Sequence, residues 1–251
     1  MPNIPSNTPV PTRNIKAMLL AAGLGSRLKP WTDHHPKALV VVNGKSLLQR
    51  NVEYLQQFGI RDIIINVHHF AEQIIEAVDR RRGWGSNITI SDETAEVLET
   101  GGGLRKASWF FDKASFVVLN VDILTDMNLT EMVNRHEQQG SLATLAVSNR
   151  KTSRYFLFNE SNELCGWQNV KTDEKKIVRA SQVMMQKAFS GIHVLNPLIF
   201  PQIIQEGKFS MVDVYLSIAH IQQISAFDHS SSKFIDVGKP ESVKLAEEMF
   251  E

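Results

Sequence analysis

Apolar and polar positions along this chain follow two alternating periods. Lys16–Ala21 is a short apolar run suited to a buried strand. In Ser46–Phe58, apolar residues recur at Leu47, Leu48, Val52, Tyr54, Leu55 and Phe58, which is helical spacing, and Gly59 closes the segment. Asp62–Val67 is β-branched and reads as a strand. Ala71–Arg81 places Ile74, Ile75 and Val78 on one side of a helix, and Ile88–Ser91 follows as a short strand. Gly101–Trp109 predicts a helix that starts after a glycine run. Phe116–Asn120 predicts a buried strand, Thr130–Gln139 an amphipathic helix and Ala143–Val147 another strand. Strands alternating with helices predict a parallel sheet covered on both faces.

The second half has a different rhythm. Tyr155–Phe158 and Leu164–Trp167 flank the polar cluster Asn159–Glu163 and read as a β-hairpin, followed by a charged turn at Lys171–Lys176. Phe189–Leu195 reads as a strand, and Asn196-Pro197 starts a helix through about Ile204. Ser225–Asp228 and Lys233–Val237 are short strands. Pro240–Phe250 is a final helix with proline in its first turn. With no internal repeat and no linker, residues 15–251 read as one domain, the second half adding strands and a lid to a nucleotide-binding first half.

Composition narrows the function. Lys plus Arg and Asp plus Glu each number 27, so no long-range field gathers nucleic acid or anionic membrane, and any phosphate site must be local. The single cysteine, Cys165, excludes an intrachain disulfide and a thiolate cluster and reads as a small buried apolar residue. No apolar run reaches the roughly 20 residues of a membrane span. Residues 1–14, rich in Pro, Asn and Thr, read as a disordered leader rather than a secretory signal, which makes the cytoplasm the expected location.

The first strand runs into Leu20-Ala21-Ala22-Gly23-Leu24-Gly25-Ser26-Arg27. Small residues let a ligand approach the backbone, and successive amides in such a loop can cradle phosphate oxygens. Arg27 adds a planar, permanent positive fork. The loop is not a Walker A motif, since no Gly-Lys-Ser/Thr follows. Nor is it Gly-x-Gly-x-x-Gly, since position 28 is Leu, and the second strand ends at Asn66-Val67 without the acid of a nicotinamide site. Pro36-Lys37-Ala38-Leu39 comes shortly afterwards, and Lys37 can reach the same anion.

Leu20-Ala-Ala-Gly-x-Gly-x-Arg-Leu-x-Pro-x-Thr32 followed by Pro36-Lys37-Ala-Leu resembles the signature of the sugar-1-phosphate nucleotidyltransferases, from about Lys16 to the C-terminus. The resemblance implies a Rossmann-like three-layer α/β/α sandwich with a mostly parallel mixed sheet. It also implies a loop (Leu20, Ala21, Ala22, Gly23, Gly25, Ser26) wrapped around the triphosphate, and catalytic roles for Arg27 and Lys37.

Asn120-Val121-Asp122 places an acid at the carboxyl end of a buried strand, where ligands gather in open α/β sheets. By resemblance Asp122 is a Mg²⁺ ligand, although Val121 stands where the family usually has Gly. Asp236, in Phe234-Ile-Asp-Val-Gly, resembles the family's second metal ligand; spacing alone does not pair the two acids. Leu98-Glu99-Thr-Gly-Gly-Gly103 is similar to the base-binding segment of the N-acetylmuramate-1-phosphate uridylyltransferases and their mannose-1-phosphate guanylyltransferase relatives. That similarity assigns Glu99 and Gly102 to the nucleotide. Phe189-Ser190-Gly191-Ile-His193 resembles a segment lining the sugar pocket, so Ser190, Gly191 and Asn120 are expected on the sugar side and His193 reads as structural.

The expected reaction joins a nucleoside triphosphate, UTP favoured and GTP possible, to a sugar 1-phosphate and releases pyrophosphate with Mg²⁺. The N-acetylmuramate type is favoured over the mannose or heptose type. The chain ends soon after the Asp236 segment, so one activity is expected. A non-catalytic nucleotide-sugar sensor is the competing reading, with Val121 in its favour.

Overall fold

The computed structural model describes residues 15–250; the expected leader, residues 1–14, lies outside them. A ten-stranded sheet organises the chain. At its centre Ala17–Leu20 pairs in parallel with Asp62–Val67 on one side and Phe116–Asn120 on the other, and Asp62–Val67 pairs in parallel with Asn87–Asp92. Ile63, Ile64 and Ile65 are all fully buried, so helices cover both faces and the strand reads as a continuous apolar run.

The period of two sorts these side chains into two cores. Ala17, Leu19, Ile63 and Ile65 face one way, against Val52 and Leu55 of the Leu47–Gln57 helix, Ile74 of Ala71–Arg80 and Met132 of Leu129–Gln139. Met18, Ile64 and Val118 face the other, against Leu104 of Glu99–Lys106 and Val214 and Tyr215 of Met211–Ile218. Helix boundaries follow local chemistry: Ser46 Oγ accepts the Gln49 N–H at 3.1 Å, and Gly59 leaves the first helix at φ 77°.

Met185–Leu195 joins the two halves. It runs antiparallel to Phe116–Asn120, Ala143–Ser148 and Arg154–Phe158, while Ile224–Asp228 lies parallel to Ala143–Ser148. Its register against Ala143–Ser148 shifts between Phe189 and His193, where Gly191 takes φ 72°. The result is a Rossmann-like α/β/α sandwich on a mostly parallel mixed sheet, and the expected hairpin forms between Arg154–Phe158 and Leu164–Asn169.

Three local expectations change, and one helix is added where none is expected from the sequence. The three glycines lie inside the Glu99–Lys106 helix rather than ahead of it. The charged turn is partly an exposed edge strand, Glu174–Ile177. The helix after Asn196 is a short 3-10 segment, Pro197–Gln202. Met211–Ile218 is a helix that exposes only the narrow pair Asp213 and Ser217, because the rest of it packs into the second core.

Candidate active site

The carboxyl ends of the central parallel strands open onto a cleft of about 430 Å³. The glycine-rich loop forms its floor. Asn66, at the end of its strand, accepts the Ala21 N–H at 2.7 Å and donates to the buried Glu93 carboxylate at 2.8 Å, which fixes the start of the loop. Burial raises the Glu93 carboxyl above its ordinary range. Gly25 adopts φ 63°, and its carbonyl accepts the Thr32 hydroxyl at 3.0 Å. A Cβ on Gly25 would lie 2.9 Å from Thr32 Cγ2 and 3.0 Å from Lys37 Cβ, so glycine lets the Lys37 segment close against the loop.

The two cations reach the same end of the cleft. Arg27 lies on the short turn Ser26–Leu28 with its side chain largely exposed, and Lys37 starts the turn Lys37–Leu39 after extended Pro36. Lys37 Nζ is ion-paired with the Asp122 carboxylate, both side chains mostly buried.

Asp122 and Asp236 meet through a ribbon that spacing does not predict. Ile123–Thr125 pairs antiparallel with Phe234–Asp236, Asp236 opposite Ile123, and the Val237 N–H donates to the Asp122 carbonyl at 2.8 Å. Asp236 Oδ2 lies 4.0 Å from Arg27 Nη2. Burial, and then the Asp122 charge, push the Asp236 carboxyl above its ordinary range, against the opposing pull of Lys37, Arg27 and Arg150. Asp236 Oδ1 is buried without a hydrogen-bond partner. A Cβ on Gly238 would sit 2.6 Å from that oxygen and 2.7 Å from Arg27 Nη2, so the glycine makes room for acid and cation together. Among the described residues no group of three or more His, Cys, Asp or Glu side chains gathers in a way that could hold a metal ion.

The cleft collects most of the residues singled out in the sequence. Leu20, Ala21, Ala22, Gly23, Gly25 and Ser26 line it with Arg27 and Lys37, and so do Glu99, Asn120 and Asp122. Asp236 stands beside Arg27 and Asp122 at its edge. Gly102 does not line the cleft. Its N–H and that of Gly101 donate to the Phe209 carbonyl at 3.3 and 2.9 Å, and a Cβ on Gly102 would lie 2.2 Å from the Gly207 carbonyl oxygen. Gly101 and Gly102 therefore make room for residues 207–209, and Gly103 makes room for Glu93 and Asn66. Ser190 is also turned inward, fully buried with its hydroxyl 2.8 Å from His229 Nε2. Gly191 lies behind Asn120, where a Cβ would approach Asn120 Nδ2 to 2.7 Å.

Val121 occupies its place without distortion. Its N–H donates to the Leu20 carbonyl at 3.2 Å, its carbonyl accepts from Asn51 Nδ2 at 2.8 Å, and its side chain packs in the core. His193 is buried against the Tyr215 hydroxyl at 2.6 Å, and burial pushes its pKa down to about 3.

Cleft residues missed by sequence reasoning are Asn66, Val97, Thr100, Ser210 and Gly238. Asn66 carried a signal, a polar side chain closing a β-branched run. Ser210 carried none before its helix was known.

The sequence model of the nucleotidyl transferase family matches residues 16–248. A stretch of 109 residues is 42% identical to N-acetylmuramate alpha-1-phosphate uridylyltransferase of Caulobacter vibrioides, covering 42% of this chain and 45% of that protein. The mannose-1-phosphate guanyltransferase of Yarrowia lipolytica is 27% identical over 230 residues, covering 90% of this chain and 61% of that protein. The chain thus spans about half to three-fifths of the length of these relatives. HddC from Yersinia pseudotuberculosis complexed with GMP-PN has the same fold, with a TM-score of 0.75 at 24% identity over 94% of this chain and 100% of that one. With the family match running over nearly the whole described chain, through the loop, both cations and both acids, this chain belongs to the nucleotidyl transferase family.

Proposed function

We propose that this chain is a sugar-1-phosphate nucleotidyltransferase that makes a nucleoside-diphosphate sugar and pyrophosphate from a nucleoside triphosphate and a sugar 1-phosphate. The observation that carries the reading is the meeting of Asp122 and Asp236, far apart in sequence, beside Arg27, Lys37 and the glycine-rich loop.

The donor set fits Mg²⁺. Two carboxylates repel each other, one of their oxygens is buried with no partner, and Mg²⁺ takes a small number of hard protein oxygens. Bound there, the ion would neutralise charge between the two phosphate groups. The chain's own residues do the rest. The loop from Leu20 to Ser26 holds the triphosphate, and Arg27 and Lys37 offset charge on the leaving pyrophosphate. Lys37 must exchange its Asp122 contact for a phosphate oxygen to do so. The sugar-phosphate oxygen attacks the α-phosphorus in line, so no protein nucleophile is required, and positioning with charge compensation supplies the rate. Asn120, at the mouth beside Asp122, is assigned to the sugar.

UTP with N-acetylmuramate 1-phosphate is the favoured pair, supported by the 42% and 41% identity to two uridylyltransferases of that name. GTP with mannose or heptose 1-phosphate is the alternative, supported by the guanyltransferase match over 90% of the chain. The cytoplasm is the proposed location; among the described residues no helix is long and apolar enough to cross a membrane. The test is pyrophosphate release from each of the four nucleoside triphosphates against several sugar 1-phosphates, with and without Mg²⁺. Arg27→Ala, Lys37→Ala and Asp122→Ala are each expected to lower turnover by about 10²-fold or more. Rates near wild type for all three reject the assignment.

A further inference from the structure

Two buried side chains beneath the cleft join segments that are far apart in sequence. Asn66 lies near the end of Asp62–Val67, Glu93 directly follows the neighbouring strand Asn87–Asp92, and both are almost completely buried. The Ala21 N–H, in the glycine-rich loop, donates to Asn66 Oδ1 at 2.7 Å. Asn66 Nδ2 donates to Glu93 Oε1 at 2.8 Å, and the Leu98 N–H donates to Glu93 Oε2 at 3.4 Å. One chain of three bonds thus runs from the loop to the residue before Glu99.

The pair is itself held in place. The Glu93 N–H donates to the Val67 carbonyl at 2.8 Å, and the Glu93 carbonyl accepts the Glu96 N–H at 3.1 Å and the His68 ring at 2.6 Å. Gly103, inside the Glu99–Lys106 helix, leaves space for both side chains. A Cβ there would lie 2.7 Å from Glu93 Oε1 and 2.9 Å from Asn66 Nδ2. Both ends of the chain of bonds reach the cleft. Ala21 lines it, and so do Val97 and Glu99, the neighbours of Leu98. Glu99 stands at φ 58°, a left-handed conformation that a residue with a side chain keeps only where its surroundings enforce it. Leu98 is bonded on both sides, since its carbonyl also accepts the Phe209 N–H at 3.2 Å.

The direction of every bond is dictated. A backbone N–H only donates, so Asn66 turns its oxygen to Ala21 and its N–H₂ to Glu93, and Glu93 accepts at both oxygens. An ionised carboxylate does this and a side-chain amide does not. We infer that Asn66 and Glu93 are positioning residues that lock the glycine-rich loop to the Leu98–Glu99 segment, so that a nucleoside triphosphate meets one preformed cleft instead of two walls that move independently. The inference rests on the nucleotidyltransferase reading of the cleft and adds what holds the cleft in shape.

Glu93→Gln sets an N–H₂ group against either Asn66 Nδ2 or the Leu98 N–H. Asn66→Asp sets a carboxylate oxygen against Glu93 Oε1. The double variant Asn66→Asp/Glu93→Gln rebuilds all three bonds with the middle one reversed. The new aspartate accepts from Ala21 and from the new amide, the oxygen of that amide accepts from Leu98, and the total charge is unchanged. The test is amide hydrogen exchange on the whole chain, with calorimetric titration of UTP and of GTP in the absence of sugar phosphate. In each single variant, exchange at Ala21 and Leu98 is expected to quicken about tenfold, and the nucleotide that wild type prefers to bind about tenfold more weakly, while the core strand Ala143–Ser148 stays protected. The double variant is expected to return exchange and affinity to within about threefold of wild type. Single variants that exchange and bind as wild type does overturn the inference, as does quickened exchange that extends to Ala143–Ser148. Where a single variant does not fold, the double variant decides, and one that fails to fold or to recover affinity overturns the inference. Recovery of exchange and affinity with no pyrophosphate released from any sugar 1-phosphate supports it and defeats the transferase proposal. Wild-type turnover with single variants at an unchanged KM for the nucleoside triphosphate does the reverse.

Discussion

Replacing Gly102 by alanine separates the packing role of the glycine run from a ligand-cradling one. The added Cβ would lie 2.2 Å from the Gly207 carbonyl oxygen and 2.9 Å from Leu98 Cβ. A close C···O approach is about 3.3 Å, so the backbone near Gly207 must retreat by about 1 Å. Overpacking of this kind costs about 1–3 kcal/mol. The retreat also stretches the two bonds to the Phe209 carbonyl, each worth about 1 kcal/mol. Against this, alanine inside a helix gains about 1 kcal/mol over glycine. The net loss is about 2 kcal/mol, or about 4–8 °C in melting temperature for a chain of this size. Gly23→Ala is the matched contrast. Nothing lies within 4 Å of the added carbon, yet Gly23 lines the cleft. Its stability should stay within about 0.5 kcal/mol of wild type while KM for the nucleoside triphosphate rises. Thermal denaturation and steady-state kinetics on both variants decide. A Gly102→Ala protein that melts like wild type but binds nucleotide poorly would refute the packing account and return Gly102 to the ligand.

Lys37→Met leaves two facing carboxylates without their nearest cation. The metal-free protein should lose about 3 kcal/mol, and Mg²⁺ should recover much of it, read as melting temperature with chelator and with metal; a variant indifferent to Mg²⁺ would contradict the shared site. Asp236→Asn should melt no lower than wild type in chelator, because the charge it removes is held against burial and against Asp122, while turnover falls by about 10²-fold or more; marked destabilisation would show that the charge is well compensated. Burial pushes the pKa of His136 down to about 4 and that of His193 to about 3, from about 6.5, so the stability these neutral rings contribute is complete above about pH 6.5 and is lost as pH falls toward those values. For His136 this amounts to about 3 kcal/mol by pH 4. The raised Glu93 and Asp236 carboxyls act in the opposite sense, so the check is the difference between wild type and His136→Gln in urea midpoints from pH 7 to pH 4, and identical slopes would refute it.

What the sequence disclosed follows from how local each signal is. Asp62–Val67 is legible because both faces are buried, which makes an unbroken apolar run, and Leu47–Gln57 because one face is wet and its cap lies beside it. Met211–Ile218 is hard to read for the converse reason: packed in the second core, it exposes only the pair Asp213 and Ser217, too narrow a stripe to betray its period. The long strand Met185–Leu195 hid its first residues, which are partly exposed and polar. Within the site, Arg27 and Lys37 stand in short motifs and could be picked out one by one. The pairing of Asp122 with Asp236 is a fact of the Ile123–Thr125 and Phe234–Asp236 ribbon, which no spacing rule contains, and only resemblance anticipated it. Gly102 misled because a glycine records that something comes close without recording what does.

The ribbon also ties the second half of the chain to the first. Asp236 is held next to Asp122 against its own charge: its carboxyl is raised by burial and by its neighbour, and one oxygen has no partner. Strand pairing and the Val237 amide keep it there, and the opposing cations come from three separate segments. Arg27 belongs to the loop and Lys37 to the turn after Pro36. Arg150 donates to the Phe189 carbonyl at 2.7 Å and lies over the Phe234 ring at 5.2 Å from its centroid. Acids that repel and cations that face a cleft are both relieved by one kind of ligand, a polyphosphate carried with a divalent ion, since each supplies the charge the other group needs. Either one alone relieves half of the strain, so in the proposed reaction nucleotide and Mg²⁺ should strengthen each other's binding by the same factor.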